Sequence, residues 1–240
     1  EPERLVALWE TNAQPGQEVN ERNEVAMGNF LDWRVQESGF DGIAALTYSS
    51  VNLTGVDEPE RIQGAVVTTN LFSLLGIQPA IGRGFHADEE KPESQRTVII
   101  SNALWQRRFG SDPELVGKTL TLNGNPVSVV GIMPLAFDLE FPITRQVDMW
   151  MPMRISASNT DRQSHYLYVL GRLKHGVTRE QAQAGMDVLV GQLQQQYPKT
   201  NSGRGTNVVP LQEQLVGKTQ PYLRLLFAAV GFDLLIACAN

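Results

Sequence analysis

The stretch from Tyr222 to Asn240 constrains this 240-residue chain more than any other. It reads Tyr-Leu-Arg-Leu-Leu-Phe-Ala-Ala-Val-Gly-Phe-Asp-Leu-Leu-Ile-Ala-Cys-Ala-Asn. A membrane-crossing helix needs about 20 mostly apolar residues, and this run approaches that length. Residues 219–240 are therefore expected to begin a transmembrane helix. Everything before them reads as a water-exposed domain, so the expectation is a domain attached to a membrane machine and not a free enzyme. Asp233 interrupts the run. A carboxylate at a helix centre costs about 2.5–3.5 kcal/mol, and each Leu, Ile or Phe offsets about 0.3–0.6. Insertion then depends on an apolar continuation. Arg224 sits where it can reach the interface.

Composition narrows the class. Hydrophobic residues make up 42% and charged residues 19%, enough for the core of one large domain or two small ones. The net charge of −6 argues against a nucleic-acid role, which depends on a basic surface. Cys238 is the single cysteine and lies in the terminal run, so the rest of the chain has no disulfide and no thiolate metal site.

Patterning along the chain predicts alternating strands and helices. Leu5–Glu10 reads as a buried strand, broken by Pro15-Gly16. Phe30, Leu31, Trp33 and Val35 have helical spacing, and a strand over Gly42–Tyr48 follows. Val51–Leu53 and Arg61–Val67 flank a longer hairpin loop. Thr69 or Asn70 caps a short helix over Leu71–Leu75 that Gly76 closes. Pro79–Pro92 reads as a loop with an acidic cluster, Asp88-Glu89-Glu90. A strand over Thr97–Ile100 leads to a helix over Ala103–Phe109, with Ser101 as N-cap and Gly110 as stop. Asn123-Gly124 between two β-rich runs is the strongest hairpin signal. Pro152 confines the strand Met149–Met153 to a sheet edge or a strand end. Ile155–Ser164 is expected to be a mobile polar loop before a strand over Tyr166–Leu173. Thr178 and Gln181 form a capping box for a helix with Ala182, Met186, Leu189 and Leu193 on one face. Pro198 ends that helix, Lys199–Gly205 loops, and Val208–Leu211 is the last strand. The fold class this implies is α+β.

Few residues point to chemistry. His86, His165 and His175 have no ligand partner at helical metal spacing, so no metal site is expected. No Walker A motif, nucleophile elbow or reactive cysteine is present in the water-exposed part, and no catalytic residue or cofactor is expected. Asp138, Glu140 and Asp148 cluster, yet carboxylate pairs catalyse only in a pocket that separates their pKa values. Asp32-Trp33-Arg34 and Trp105 with Arg107-Arg108 each pose one choice: a binding spot, or a core tryptophan flanked by solvated charge. The core reading is preferred for both.

Taken in order, several short stretches resemble the MacB-like periplasmic domain of bacterial ABC-transporter permeases of the FtsX-like type. They include Phe30-Leu31-Asp32-Trp33-Arg34, Asn52-Leu53-Thr54-Gly55 with Glu58-Pro59-Glu60-Arg61, and Asn70-Leu71-Phe72-Ser73-Leu74-Leu75-Gly76-Ile77. Pro79 with Gly82-Arg83, Leu104-Trp105-Gln106-Arg107-Arg108-Phe109-Gly110, Gly117-Lys118-Thr119-Leu120 and Val130-Gly131-Ile132-Met133-Pro134 continue the series. Arg172-Leu173-Lys174, Gly176-Val177-Thr178, Tyr197-Pro198, Val209-Pro210-Leu211, Gln214-Leu215-Val216-Gly217 and Leu234–Asn240 complete it. The resemblance covers nearly the whole chain and is nearest to a subgroup common in Acidobacteria, from which Asp233 departs.

The resemblance implies an α/β-type porter-like subdomain, residues 1–76 and 160–218, with a smaller α+β subdomain inserted at 77–159. It implies a non-catalytic domain in the periplasm, anchored in the bacterial inner membrane. There it would couple ATP hydrolysis by a cytoplasmic ABC ATPase subunit to movement, for export or for handling envelope substrates. A permease dimer and a periplasmic adaptor are the implied partners. Arg83, Phe85, Trp105, Arg107 and Arg108 are the expected contact residues on the inserted part. The competing expectation is a ligand-sensing ectodomain of a membrane receptor, which a small-molecule pocket would favour.

Overall fold

The computed structural model of the chain describes residues 1–12, 20–36, 39–55, 58–137, 141, 146–156 and 158–216. The terminal run at 219–240, Pro15-Gly16, Asp138 and Glu140 lie outside the described residues. Among the described residues no helix is long and apolar enough to cross a membrane.

The chain opens with β1 (Leu5–Asn12), β2 (Asn20–Asn23), β3 (Val25–Ala26) and α1 (Met27–Gln36). The hairpin β4 (Phe40–Thr54) and β5 (Glu60–Val67) leads to α2 (Leu71–Leu75), β6 (Ile81–Gly82) and a 3-10 turn, Ala87–Glu90. Next come β7 (Thr97–Ile100), α3 (Asn102–Phe109), β8 (Thr119–Leu122), β9 (Asn125–Ile132) and β10 (Met149–Pro152). The chain returns through β11 (His165–Leu173), α4 (Arg179–Gln196), α5 (Pro198–Asn201), β12 (Arg204–Pro210) and α6 (Leu211–Val216).

The strands form one mixed sheet in the order β12-β1-β11-β4-β5-β10-β7-β9-β6. Strand β10 runs parallel to β5, and β7 runs parallel to β9. The helices make this an α+β fold. Strand β4 unites what the sequence suggests are two strands. It runs for 15 residues, pairs with β11 through Phe40–Leu46, and reaches β8 at Leu53 and Thr54.

Side-chain alternation along β4 explains the packing, because successive residues point to opposite faces. Ala44 and Leu46 face a core that runs along one side of the sheet, from Leu5, Trp9 and Leu170 to Phe72, Ile99 and Trp150. The other face carries two separate cores. Ile43 and Ala45 belong to the first, closed by Phe30 and Trp33 of α1 and by Ala182, Met186 and Leu189 of α4. Val51 and Leu53, of the same parity further along, belong to the second, closed by Leu104 of α3. So one sheet face is shared, and the other has two helical covers.

Local signals form as the sequence indicates. Asn123 and Gly124 have φ of 49° and 76°, which suits a two-residue turn joining β8 to β9. Thr178 Oγ1 accepts the Gln181 N–H, and Gln181 Oε1 accepts the Thr178 N–H. Ser101 Oγ accepts the Leu104 N–H, and Gly110 closes α3 in the left-handed region.

Other expectations are met in part. Asn70 precedes α2, but its side chain donates to the Ile43 carbonyl and caps nothing. Of the two places expected for Pro152, the strand end holds, since it is the last residue of β10, and the sheet edge does not, since β10 is flanked by β5 and β7. Helix α4 stops at Gln196 just before Pro198 as expected, but Pro198 then opens the short α5 at its first turn, where its missing N–H costs nothing, instead of a loop. Strand β12 begins at Arg204, within the stretch read as a loop, and ends before Leu211.

Candidate functional site

Charged side chains fasten elements to one another around the apolar cores, and Glu90 has partners on three of them. It ends the 3-10 turn Ala87–Glu90, and its side chain is 13% exposed. Glu90 Oε1 accepts the Thr69 N–H at 2.9 Å and the Thr69 hydroxyl at 3.0 Å, just before α2. Glu90 Oε2 pairs with Arg34 of α1 at 2.8 Å. Its main-chain carbonyl accepts the Ile155 N–H at 2.7 Å, on the segment that returns from β10. One residue therefore ties together α1, the start of α2 and the return segment.

Its neighbour Glu89 faces another way. Glu89 receives both guanidinium nitrogens of Arg83, at 3.0 and 3.2 Å, and the His86 N–H at 2.7 Å. Burial pushes its carboxyl up, but the Arg83 hydrogen bond, the His86 N–H and the Arg83 charge outweigh that and hold it below the usual range. His86, read from sequence as a solvated loop residue, precedes this turn and supplies that N–H.

The expected contact residues fall against different elements. Arg83 is bound to Glu89, with its side chain 41% exposed. Phe85 stacks against Phe72 of α2 with ring centroids 6.0 Å apart. Trp105, half-buried, donates its Nε1–H to the Asp112 carbonyl and packs on the α3 core. Arg107 bridges Glu60 at 2.9 Å and Asp148 at 3.2 Å, and Arg108 meets the same Glu60 at 3.1 Å. Burial lowers the Arg107 pKa, while the bonds to Asp148 and Glu60 raise it further than burial lowers it. The structure thus brings Arg107 and Arg108 of α3 together against Glu60, the first residue of β5. Asp148 also accepts the Ser101 hydroxyl at 3.0 Å, so this acid works as a structural strut between α3 and β10.

Sequence reasoning missed a second polar cluster, under α1. Arg162, in the stretch expected to be mobile, is 8% exposed. It donates to Asn29 Oδ1 and Asp32 Oδ2, both at 2.6 Å, and its guanidinium lies 3.7 Å from the Tyr197 ring centroid. Asn29 in turn donates to Glu10 Oε1 at 2.9 Å. Glu10 is 1% exposed, and its Oε2 lies 3.0 Å from His165 Nδ1 and 3.7 Å from Arg204. The sequence signal was a lone arginine in a polar stretch, which does not reveal burial. In the same helix Trp33 is 1% exposed, so it is core, and Asp32 and Arg34 serve two different junctions.

These clusters hold elements in place, and each carboxylate in them is neutralised by a guanidinium or satisfied by N–H donors. Among the described residues no group of three or more His, Cys, Asp or Glu is placed to hold a metal ion. His175 is exposed, with Glu1 at 3.6 Å.

Residues 6–189 match the sequence model of one family, described as the MacB-like periplasmic core domain. A curated relative from Pseudomonas entomophila, named "Probable export ATP-binding/permease protein MacB", is 25% identical over 183 residues, 76% of this chain. The chain spans 26% of that relative's length. Among solved structures, the periplasmic region of MacB from Actinobacillus actinomycetemcomitans has a TM-score of 0.60 and 14% identity, covering 89% of this chain and 92% of the other. The extracellular domain of the ABC-type transporter YknZ from Gram-positive bacteria has a TM-score of 0.57 and 14% identity, covering 85% and 99%. Both likenesses are of fold.

Proposed function

The chain belongs to the family of MacB-like periplasmic core domains, and from that premise we propose that it is the non-catalytic periplasmic domain of an ABC-transporter permease in a bacterial inner membrane. A separate cytoplasmic ATPase subunit hydrolyses ATP, and the permease works as a dimer. This domain carries the resulting movement to an exported or envelope substrate, or to a periplasmic adaptor. The observation that carries the reading is the family match over 184 of 240 residues, 6 through 189.

The fold supports a mechanical role. Residues 1–76 and 160–218 act as the porter-like subdomain, and 77–159 as the inserted one. The β4–β5 hairpin belongs to the first and its far end pairs with β8 of the second, so a displacement at β11 reaches β8 through a single continuous strand. Glu90 fixes the angle between α1 and the inserted segment through Arg34 and Thr69. Arg83, Phe85, Trp105, Arg107 and Arg108 lie on the inserted part and are the proposed partner contacts.

The test uses the full-length permease co-expressed with its ATPase, with and without residues 5–215, following export or drug tolerance in cells. Loss of the phenotype with ATPase assembly intact is expected. Unchanged transport in the deletion would sink the proposal.

A further inference from the structure

On the sheet face with two helical covers, a cleft of about 240 Å³ lies at the ends of β5, β10, β7 and β9. Val66 of β5 and Met151 of β10, cross-strand partners, line it together with Val127 of β9. Val66 packs with the α1/α4 core, whereas Met151 and Val127 pack with the α3 core. The cleft therefore lies where one cover gives way to the other. Its volume is below the roughly 300–1,000 Å³ of sites for drug-sized ligands, so it suits a short chain.

Charge sharpens the class. Arg96 and Arg154 line the same cleft. Arg154 donates to the Pro92 and Ser94 carbonyls, which orients its guanidinium without neutralising it. Among the described residues neither arginine pairs with a carboxylate. Glu89 also lines the cleft, but its charge is met by Arg83 and the His86 N–H. Two uncompensated cations beside an apolar wall stand out in a chain with a net charge of −6.

We infer that this cleft binds a small amphiphilic anion, its alkyl part against Val66, Val127 and Met151 and its anionic head on Arg96 and Arg154. The inference goes beyond the transporter reading and does not depend on it. A bound ligand touches residues of both cores on this face.

The chain in solution is titrated with octanoate and followed by calorimetry and amide NMR shifts. Octanol and octyltrimethylammonium carry the same alkyl part without the negative head. The exposed Arg96 side chain holds no ion pair among the described residues, so Arg96→Gln and Arg96→Glu leave the fold intact, checked by thermal melting. Saturable one-to-one octanoate binding is expected, with octanol about tenfold weaker, the size of one charge-assisted contact, and no binding of the cation. Arg96→Gln weakens octanoate about tenfold, and Arg96→Glu abolishes binding. Absence of saturable octanoate binding, equal affinity for octanol, or an Arg96→Glu variant that binds unchanged would each overturn the inference.

Discussion

Arg34→Met and Glu90→Gln, made singly and together, measure how tightly α1 is fastened to the turn before β7. Exposed ion pairs contribute about 0.2–1 kcal/mol, whereas removing one partner of a fully buried pair costs about 3–5 kcal/mol. The Arg34 and Glu90 side chains are 29% and 13% exposed, so their pair falls near the lower end of that span. Arg34→Met keeps the apolar stem and loses the charge, at a cost of about 1 kcal/mol. Glu90→Gln keeps an oxygen for the Thr69 N–H and hydroxyl, so its cost is also about 1–2 kcal/mol. Because both singles remove the same contact, the double variant loses less than their sum, and the coupling energy is about 1 kcal/mol. Urea unfolding gives each value, provided the slope with denaturant stays constant across the four proteins. A coupling energy under about 0.3 kcal/mol would show that the two side chains are neighbours without energetic consequence, and the mechanical role assigned to this junction would go with it.

Gln183 of α4 accepts the Val208 N–H at 2.8 Å and donates to the Thr206 carbonyl at 3.0 Å, so its amide pairs with strand β12 as a neighbouring strand would. Gln183→Leu is expected to cost about 1–2 kcal/mol in urea unfolding and to raise light scattering on heating, since an open strand edge invites association; an unchanged midpoint rejects that role. The folded pKa of Glu89 lies below its unfolded value of about 4.3, so its contribution is present above that pH and is lost as pH falls through the folded value. Glu89→Gln should therefore destabilise the protein at pH 7 and flatten the stability profile below about pH 4.3, read from denaturation midpoints across pH; a parallel profile contradicts this. A Cβ at Gly28 would lie 2.8 Å from Arg162 Cγ and 2.9 Å from the Thr160 carbonyl oxygen. Gly28→Ala is expected to cost about 1–3 kcal/mol and to raise hydrogen exchange in residues 158–163, and a neutral variant would refute the tight packing of that segment.

Much of the local structure was legible because its causes are local. A two-residue Asn123-Gly124 turn needs only residues that accept positive φ, and both do. The Thr178–Gln181 box and the Ser101 cap satisfy N–H groups within one helical turn, so spacing alone identifies them. Trp33 as core follows from helical periodicity. Resemblance added the family, through an order of short stretches that no single stretch could establish.

Tertiary structure decided what periodicity cannot carry. Adjacent Glu89 and Glu90 are alike in sequence, yet one is held by Arg83 and the other by Arg34, because the turn between them faces two different elements. The burial of Arg162 depends on α1 and Tyr197, both distant in the chain. The central place of β10 depends on the pairing order of strands far apart in sequence, and Pro152 alone suggested only an edge or an end. The cleft between the two helical covers is lined by Val66, Val127 and Met151 from three different strands, which only the assembled sheet brings to one place. The sequence by itself determined turns, caps and faces, since these are set within a few residues. The pairing of distant strands determined which charges meet and where a ligand has room, since those depend on contacts that form only when the sheet is assembled.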